Sequence, residues 1–159
     1  MAESFSGKEV VEIAVEIEKN GFDFYAELIR KALTPEATQI FTYLAGEEEK
    51  HISVFENLFK SIKNVDNGGA FPDEYISYMN KLAGQHVFTQ KGQGVKIAKE
   101  IDNTTKAFDL GIKFENESII YYESMKQVIS KKDIGIIDRL INEENMHLVK
   151  LQNIKARQK

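Results

Sequence analysis

The sequence predicts an all-α fold, a four-helix bundle made of two helical hairpins. Apolar residues recur at helical spacing along nearly the whole chain, and strand-like alternation is absent. A connection of about 40 residues separates the two pairs of helical segments. We expect a single domain over residues 1–159, with long helices at about residues 6–32, 35–63, 104–130 and 134–157.

The first predicted hairpin is divided at Thr34-Pro35. Ser6, followed three residues later by Glu9, forms a capping-box pattern at the start of the first helix. Proline is favoured at the first position of a helix, so Pro35 marks the start of the second helix. The apolar stripes expected to face inward are Val11, Ala14, Val15, Phe22, Tyr25 and Ile29, then Leu44, Phe55, Leu58 and Ile62.

The second predicted hairpin has the same design. Residues 131–133 form its tight connection, and Asp133 is a suitable cap for the fourth helix. The inward stripes are Phe108, Ile112, Ile119, Tyr122 and Met125, then Ile137, Leu140, Leu151 and Ile154.

The connection between the hairpins, residues 64–103, is long enough to cross the bundle. A turn is expected within residues 64–72, and a short helix from Asp73 to about Leu82. Three glycines then predict a loose stretch: Gly84, Gly92 and Gly94. A single long crossover is typical of a ferritin-like four-helix bundle.

The two halves of the chain match each other. Residues 8–28 align without gaps on residues 105–125, which pairs Glu18 with Glu115. A Glu-x-x-His motif also recurs at equivalent points of the two halves. The fold is therefore expected to be a duplicated hairpin with a pseudo-twofold axis.

Four glutamates occupy positions on the inward stripes where an apolar residue is expected. They are Glu18, Glu48, Glu115 and Glu144. Burying one uncompensated carboxylate in a helical core costs on the order of several kcal/mol. Two divalent cations would balance the four negative charges. The sequence therefore predicts that the bundle holds two metal ions.

The histidines support this prediction. The Glu-x-x-His spacing puts both side chains on one helix face, so each motif can reach one metal. The two motif glutamates would bridge the metals, and the other two would be terminal ligands. The six expected ligands are Glu18, Glu48, His51, Glu115, Glu144 and His147. Carboxylates with imidazole suit iron, with manganese as the alternative, and the absence of cysteine excludes thiolate sites.

Four motifs occur in order around these ligands. They are Glu18-x-x-Gly21-x-x-Phe24-Tyr25, Glu48-x-x-His51, Glu115-x-x-Ser118-x-x-Tyr121-Tyr122 and Glu144-x-x-His147. The series resembles the di-iron domain of rubrerythrins over nearly the whole chain. The resemblance implies a centre of two iron ions, with Tyr25 and Tyr122 hydrogen-bonded to ligand carboxylates. It also implies reduction of hydrogen peroxide to water, with the iron cycling between ferrous and ferric states.

Two departures from that family bear on function. Full-length rubrerythrins usually add a cysteine-ligated rubredoxin domain, whereas these 159 residues contain no cysteine. We therefore expect an external electron donor, such as a rubredoxin or a flavoprotein reductase. Many rubrerythrins also have a further glutamate where this chain has Ser118, and its loss leaves ferroxidase or iron-handling activity as an alternative. A non-catalytic helical interaction module is the third reading, against which the buried carboxylates argue.

Composition and charge indicate the expected partners. The net charge is −4, with acidic and basic residues interspersed, so there is no basic stripe for nucleic acid. No window approaches about 18 uncharged apolar residues, and the first residues lack a signal-peptide pattern. We expect a cytoplasmic protein that binds no membrane. A homodimer is expected, and the long connection would permit an exchange of hairpins between chains, a domain swap.

The remaining titratable residues near the motifs are expected to have ordinary roles. Glu47, Glu49 and Glu143 flank the motifs and are expected on solvated helix faces. His86 lies in the glycine-rich connection, where a surface or packing role is expected.

Overall fold

The computed structural model of the chain describes residues 7–31, 33–63, 73–86, 88–127 and 129–157. Within these ranges the chain forms six α-helices and no strand. The helices are α1 (Gly7–Arg30), α2 (Pro35–Lys63), α3 (Asp73–Gln85), α4 (Gln93–Glu100), α5 (Thr104–Met125) and α6 (Ile134–Arg157). In the described part of the chain, none of them has the length and apolar character needed to cross a membrane.

The four long helices form a bundle of two hairpins. Helix α1 packs against α2, and α5 packs against α6, since a short link joins the members of each pair. The hairpins meet where α1 contacts α5 and α2 contacts α6. In the crossover, α3 lies against α5 and α4 lies against α1. The all-α bundle predicted from the sequence is thereby confirmed.

The crossover contains a helix that the sequence analysis did not predict. Helix α4 begins after Gly92, which has a φ of 82° and so adopts the left-handed conformation that favours glycine. The sequence predicts a loose stretch at Gly84, Gly92 and Gly94, but Gly84 lies within α3, and Gly92 permits the turn into α4. Helix α3 extends to Gln85, beyond the predicted end at Leu82.

Helix α5 ends at Met125, before the predicted end at residue 130. The chain then tightens into a 3₁₀ turn at Lys131–Asp133, which leads directly into α6. In this turn the Ser130 hydroxyl donates a hydrogen bond to Asp133 Oδ2 at 2.8 Å. The expected cap at Ser6 and the turn expected within residues 64–72 lie outside the described residues.

Helix α1 is buried over a wider arc than the predicted stripe. Of the apolar positions expected to face inward, Val11, Ala14 and Tyr25 are fully buried, whereas Val15, Phe22 and Ile29 are half-buried. The fully buried apolar side chains outside the predicted stripe are Val10, Ile17, Phe24 and Leu28. The predicted stripe was partly wrong because it allowed only for the other long helices as neighbours of α1, whereas α4 also packs against this helix.

Asn20 fastens the crossover to α1. Its side chain is 1% exposed, and its amide donates to the carbonyl oxygens of Phe88 at 2.9 Å and Gln90 at 2.8 Å. Its Oδ1 accepts from the Gly94 amide at 3.0 Å. A Cβ at Gly94 would lie 2.0 Å from the Asn20 carbonyl oxygen, so only glycine allows α4 to come this close.

Lys31 makes a second anchor at the far end of α4. Its ammonium group donates to the carbonyl oxygens of Lys99 at 2.9 Å and Ile101 at 2.7 Å. These carbonyls lie at the end of α4, where they have no acceptor role within the helix. The crossover is thus tied to the first hairpin at both ends of α4.

Replacing Gly94 with alanine should destabilise the protein. The new methyl group would overlap the Asn20 carbonyl, so we expect the free energy of unfolding to fall by about 1–3 kcal/mol. Gly46→Ala is the matched control, because a Cβ at Gly46 meets nothing within 4 Å on the exposed side of α2. That variant should gain about 0.5–1 kcal/mol from helix propensity. Urea unfolding measures both, and equal changes would contradict the close contact.

Candidate metal centre

The six predicted ligands come together in the middle of the bundle. Glu18 comes from α1, Glu48 and His51 from α2, and Glu115 from α5, while α6 supplies the remaining two. The four glutamate side chains are completely buried, and His51 and His147 are no more than 2% exposed. Helical periodicity places all of these side chains on the faces that meet at the bundle axis.

The ligands form two overlapping groups, and each could hold one metal ion. One group is Glu18, Glu48, His51 and Glu144; the other is Glu48, Glu115, Glu144 and His147. Within each group, one ligand atom per residue lies within 4.8 Å of the others. The two motif glutamates belong to both groups, which is the arrangement that bridging carboxylates need.

The buried polar atoms of the centre fit a pair of cations. Eight such side-chain atoms have no hydrogen-bond partner outside the centre itself: Glu18 Oε2, both carboxylate oxygens of Glu48 and of Glu144, Glu115 Oε2, and Nδ1 of His51 and His147. Buried polar atoms in folded proteins are almost always paired, so eight at one place call for another partner. All eight are oxygen or imidazole nitrogen atoms, the donors that iron and manganese accept.

One ring nitrogen of His51 faces the centre, and the other faces a further glutamate. Its Nδ1 lies 2.8 Å from Glu144 Oε1 and 3.6 Å from Glu18 Oε2. Its Nε2 lies 2.7 Å from Glu143 Oε2, on a side chain that is 42% exposed. Glu143 therefore orients the imidazole so that Nδ1 is directed at the metal group.

His147 repeats this arrangement in the other half. Its Nδ1 lies 3.5 Å from Glu144 Oε2 and 3.9 Å from Glu115 Oε2. Its Nε2 lies 4.0 Å from Glu47 Oε1, and the Tyr43 ring packs edge-on against the imidazole, with the ring centroids 5.9 Å apart. The contact with Glu47 is longer, so this histidine is held less tightly than His51.

Glu47 and Glu143 thus have a role that the sequence analysis missed. The sequence predicts both on solvated helix faces, but each contacts the outer nitrogen of the histidine in the opposite half. A signal was present, because a glutamate precedes each Glu-x-x-His motif at equivalent points of the repeat. Such carboxylates fix the ring and its tautomer when the histidine binds a metal.

The two tyrosines of the motifs also act across the halves. The Tyr25 hydroxyl donates to Glu115 Oε1 at 2.9 Å, and the Tyr122 hydroxyl donates to Glu18 Oε1. Each tyrosine thereby leaves the second oxygen of its glutamate directed at the centre without a hydrogen bond. This is the orientation that a terminal metal ligand requires.

Aromatic rings close the space around the carboxylates. Phe55 packs on Tyr122 with centroids 5.1 Å apart, and Phe41 stacks on Tyr25 at 5.7 Å. The Phe114 ring covers Gly21 so closely that a Cβ there would lie 2.4 Å from it. These rings exclude water, which strengthens every electrostatic interaction inside.

Burial and mutual repulsion govern protonation of the glutamates. Burial raises the pKa of Glu48 well above its ordinary value, and the charges of Glu18 and Glu144 add to the effect. Burial likewise raises the pKa values of Glu115 and Glu144, with help from neighbouring carboxylates. Burial also acts to raise the pKa of Glu18, but Glu48, the charge of His51 and the Tyr122 hydroxyl together lower it to about 2.

The two histidines differ in charge when no metal is bound. Burial acts to lower the pKa of His51, but the charge of Glu18 and the contact with Glu144 raise it to about 12. Burial lowers the pKa of His147, which is therefore neutral. Without metal, protons on His51 and on the glutamates with raised pKa values offset the negative charge of the centre. Metal ions would have to displace them.

His86 lies beside this centre and is not on the surface. It is 5% exposed, and its Nε2 lies 3.1 Å from the hydroxyl oxygen of Ser118 on α5. Burial lowers its pKa to about 4, so the ring is neutral. The sequence predicted a surface role or a packing role for His86, and the structure shows that its side chain packs inside the protein.

Comparison with known proteins agrees with this geometry. The family model named Rubrerythrin matches residues 9–155. The chain belongs to the rubrerythrin family. Its fold is similar to the 2.30 Å crystal structure of a candidate ferritin-like diiron-carboxylate protein from Thermotoga maritima, with a TM-score of 0.71, 21% identity and complete coverage of both chains. No curated protein matches the sequence.

The stability of this rubrerythrin-family protein without metal should fall as the pH rises from 7 to 9. Folding raises the pKa of three of the four glutamates above the value of 4.5 that they have in the unfolded chain. A carboxyl group of this kind stabilises the folded protein less and less as the pH rises above 4.5. His51, raised from 6.5 to about 12, adds to the loss above pH 6.5. The lowered pKa values of His86 and His147 change the stability only below pH 6.5, outside this range.

Urea unfolding with a chelator at several pH values measures this effect. Metal-loaded protein is the comparison, because bound cations remove the cause and should flatten the curve between pH 7 and 9. Metal-free stability that is constant or increases over this range would contradict the protonation scheme.

Replacing Glu48 with glutamine should separate stability from metal binding. Without metal, the buried Glu48 carboxyl group must either carry a charge beside Glu18 and Glu144 or take up a proton, and both cost free energy at pH 8. The amide needs neither, so the free energy of unfolding of the metal-free variant should be higher by about 1 kcal/mol or more at pH 8. It should also lose the stabilisation that added ferrous iron gives the wild type, since a bridging ligand is gone. Anaerobic thermal unfolding with and without iron measures both effects.

Glu49→Gln is the matched control, because Glu49 is adjacent in sequence but exposed. It should keep the wild-type response to iron. An iron response that survives in Glu48→Gln would show that Glu48 is not a ligand.

Proposed function

We propose that this protein is a di-iron oxidoreductase that reduces hydrogen peroxide to water with electrons from an external donor. The observation that carries the proposal is the pair of overlapping ligand groups sharing Glu48 and Glu144. Membership of the rubrerythrin family supports the same chemistry.

The residues present suit two iron ions. One group would take Glu18 and His51 and the other Glu115 and His147, with the shared glutamates between them. Four carboxylates balance two divalent charges, and neutral imidazoles complete each group. When bound, the iron pair would supply two electrons per turnover by passing between ferrous and ferric states.

The protein's own groups serve the other needs of the reaction. Reduction of one peroxide to two water molecules consumes two electrons and two protons. Tyr25 and Tyr122 hold the terminal carboxylates, and the aromatic rings keep bulk water out. Glu143 is partly exposed and bonds to His51 Nε2, so it links the buried centre to solvent along a path that protons can follow.

The donor and the assembly state are parts of the same proposal. These 159 residues contain no cysteine, so none of them can hold iron through thiolates as a rubredoxin does, and we propose that a rubredoxin or a flavoprotein reductase supplies the electrons. We also propose a homodimer as the working assembly. Light scattering distinguishes a dimer from the large shell that iron storage would require.

Reoxidation of the reduced, iron-loaded protein should be faster with hydrogen peroxide than with oxygen. We expect a difference of at least about tenfold, measured by stopped-flow absorbance under matched oxidant concentrations. The protein should hold two iron ions per chain by elemental analysis. Glu49→Gln serves as the control, since a change at an exposed position should leave both values unaltered.

Faster reaction with oxygen, together with turnover of added ferrous iron, would identify a ferroxidase instead. The closely repeated surroundings of the two ligand groups make this the second candidate. A third outcome is a folded protein that binds no iron and whose thermal stability does not change when a chelator is added. This outcome would indicate a helical interaction module and would overturn both activities.

A further inference from the structure

The hydrogen bonds of His86 fix its tautomer. The backbone amide of Phe88 donates to His86 Nδ1 at 3.0 Å, so this nitrogen is an acceptor without a proton. In the neutral ring the proton is then on Nε2, which donates to the Ser118 hydroxyl oxygen at 3.1 Å. The ring is also held edge-on against Phe114, with centroids 5.8 Å apart. His86 is therefore a fixed donor to Ser118.

Ser118 is left with a hydrogen to donate. Its side chain is completely buried, and its oxygen already accepts from His86. A hydroxyl group has one hydrogen, and among the described residues none accepts it. Ser124, on the same helix, differs because its hydroxyl donates to the Ile120 carbonyl at 3.1 Å. The Ser118 hydroxyl is a buried donor in need of an acceptor.

Two observations place this donor next to the metal centre. The first is that Ser118 lies one helical turn after Glu115 on the same buried face of α5. In the sequence repeat Ser118 is equivalent to Gly21, where a Cβ would lie 3.2 Å from Glu48 Oε2. The equivalent side chain in the second half therefore stands at the edge of the carboxylate cluster.

The segment that carries His86 is anchored to a helix that supplies a ligand. Asn20 binds the carbonyl oxygens of Phe88 and Gln90, and it lies two residues after Glu18 on α1. His86 thus keeps a fixed position relative to the centre, although it lies in the crossover. At the corresponding place in the first half, the three atoms nearest to a Cβ at Gly21 belong to Phe114 and Glu48, not to a residue of the described crossover.

We propose that Ser118 donates a hydrogen bond to a small anionic ligand bound at the metal centre, and that His86 is the positioning residue that directs this hydroxyl. The proposal rests on the proposed di-iron function. A neutral donor suits a small anion with a lone pair and adds no charge to the four carboxylates. The pair makes one side of an otherwise repeated site different from the other.

Azide binding tests the proposal without reference to turnover. Azide is a small anion whose binding to the oxidised, iron-loaded protein is followed by charge-transfer absorbance. Ser118→Ala should raise its Kd about tenfold, the effect of losing one hydrogen bond to a charged group. Ser124→Ala is the matched control on the same helix and should leave the Kd unchanged.

His86→Phe shows whether His86 acts through Ser118. Alone, it should raise the azide Kd about as much as Ser118→Ala, because the hydroxyl is no longer directed. In the Ser118→Ala background, His86→Phe should cause no further rise in the azide Kd. An equal further loss in that background, or an unchanged Kd for Ser118→Ala, would overturn the proposal. If His86→Phe does not fold, the near-isosteric Ser118→Ala decides alone.

Iron content separates failure of this inference from failure of the proposed function. Wild-type protein that binds two iron ions but no azide overturns only the role of Ser118. Wild-type protein that binds no iron overturns the di-iron proposal itself. Loss of iron from Ser118→Ala would show that the serine supports a metal ligand, which also contradicts a role toward an added anion.

Discussion

The structure depends on the balance of charge in a core that holds four buried carboxylates. Without positive charge at this place, the glutamates can remain buried only by taking up protons, as the raised pKa values of three of them indicate. His51 supplies part of the missing charge because its pKa is held near 12. Protons and metal ions therefore compete for the same atoms, and the fold without metal stores repulsion that cations would relieve.

The helices around this core place the donors and keep other partners away from them. Tyr25 and Tyr122 each occupy one oxygen of a terminal glutamate, and Glu47 and Glu143 contact the outer nitrogens of the histidines. The atoms that face inward have no hydrogen-bond partner outside the centre. The duplicated hairpin explains why each of these contacts occurs twice, since a pseudo-twofold axis repeats any contact that crosses it.

The sequence predicted the bundle and the membership of the centre because both follow from helical periodicity. A glutamate on an apolar stripe must face the axis, whichever helix it comes from. Contacts between segments far apart in the chain were not predictable in this way. Helix α4 was missed because Gly92 and Gly94 look like breaks unless their packing on Asn20 is known. The buried contact of His86 was not predictable either, because its partner Ser118 is 32 residues away in the chain.

The anchors on α4 decide where the chain divides into separable parts. Asn20 and Lys31 tie the crossover to the first hairpin as far as Ile101, so two residues, Asp102 and Asn103, link this anchored segment to α5. An exchange of hairpins that kept these anchors within one copy would pivot at this short link and not between the anchors. Both ligand groups draw side chains from each side of it. Separating the two parts would therefore dismantle both groups at once, and a cation in either group would act as a cross-link between them.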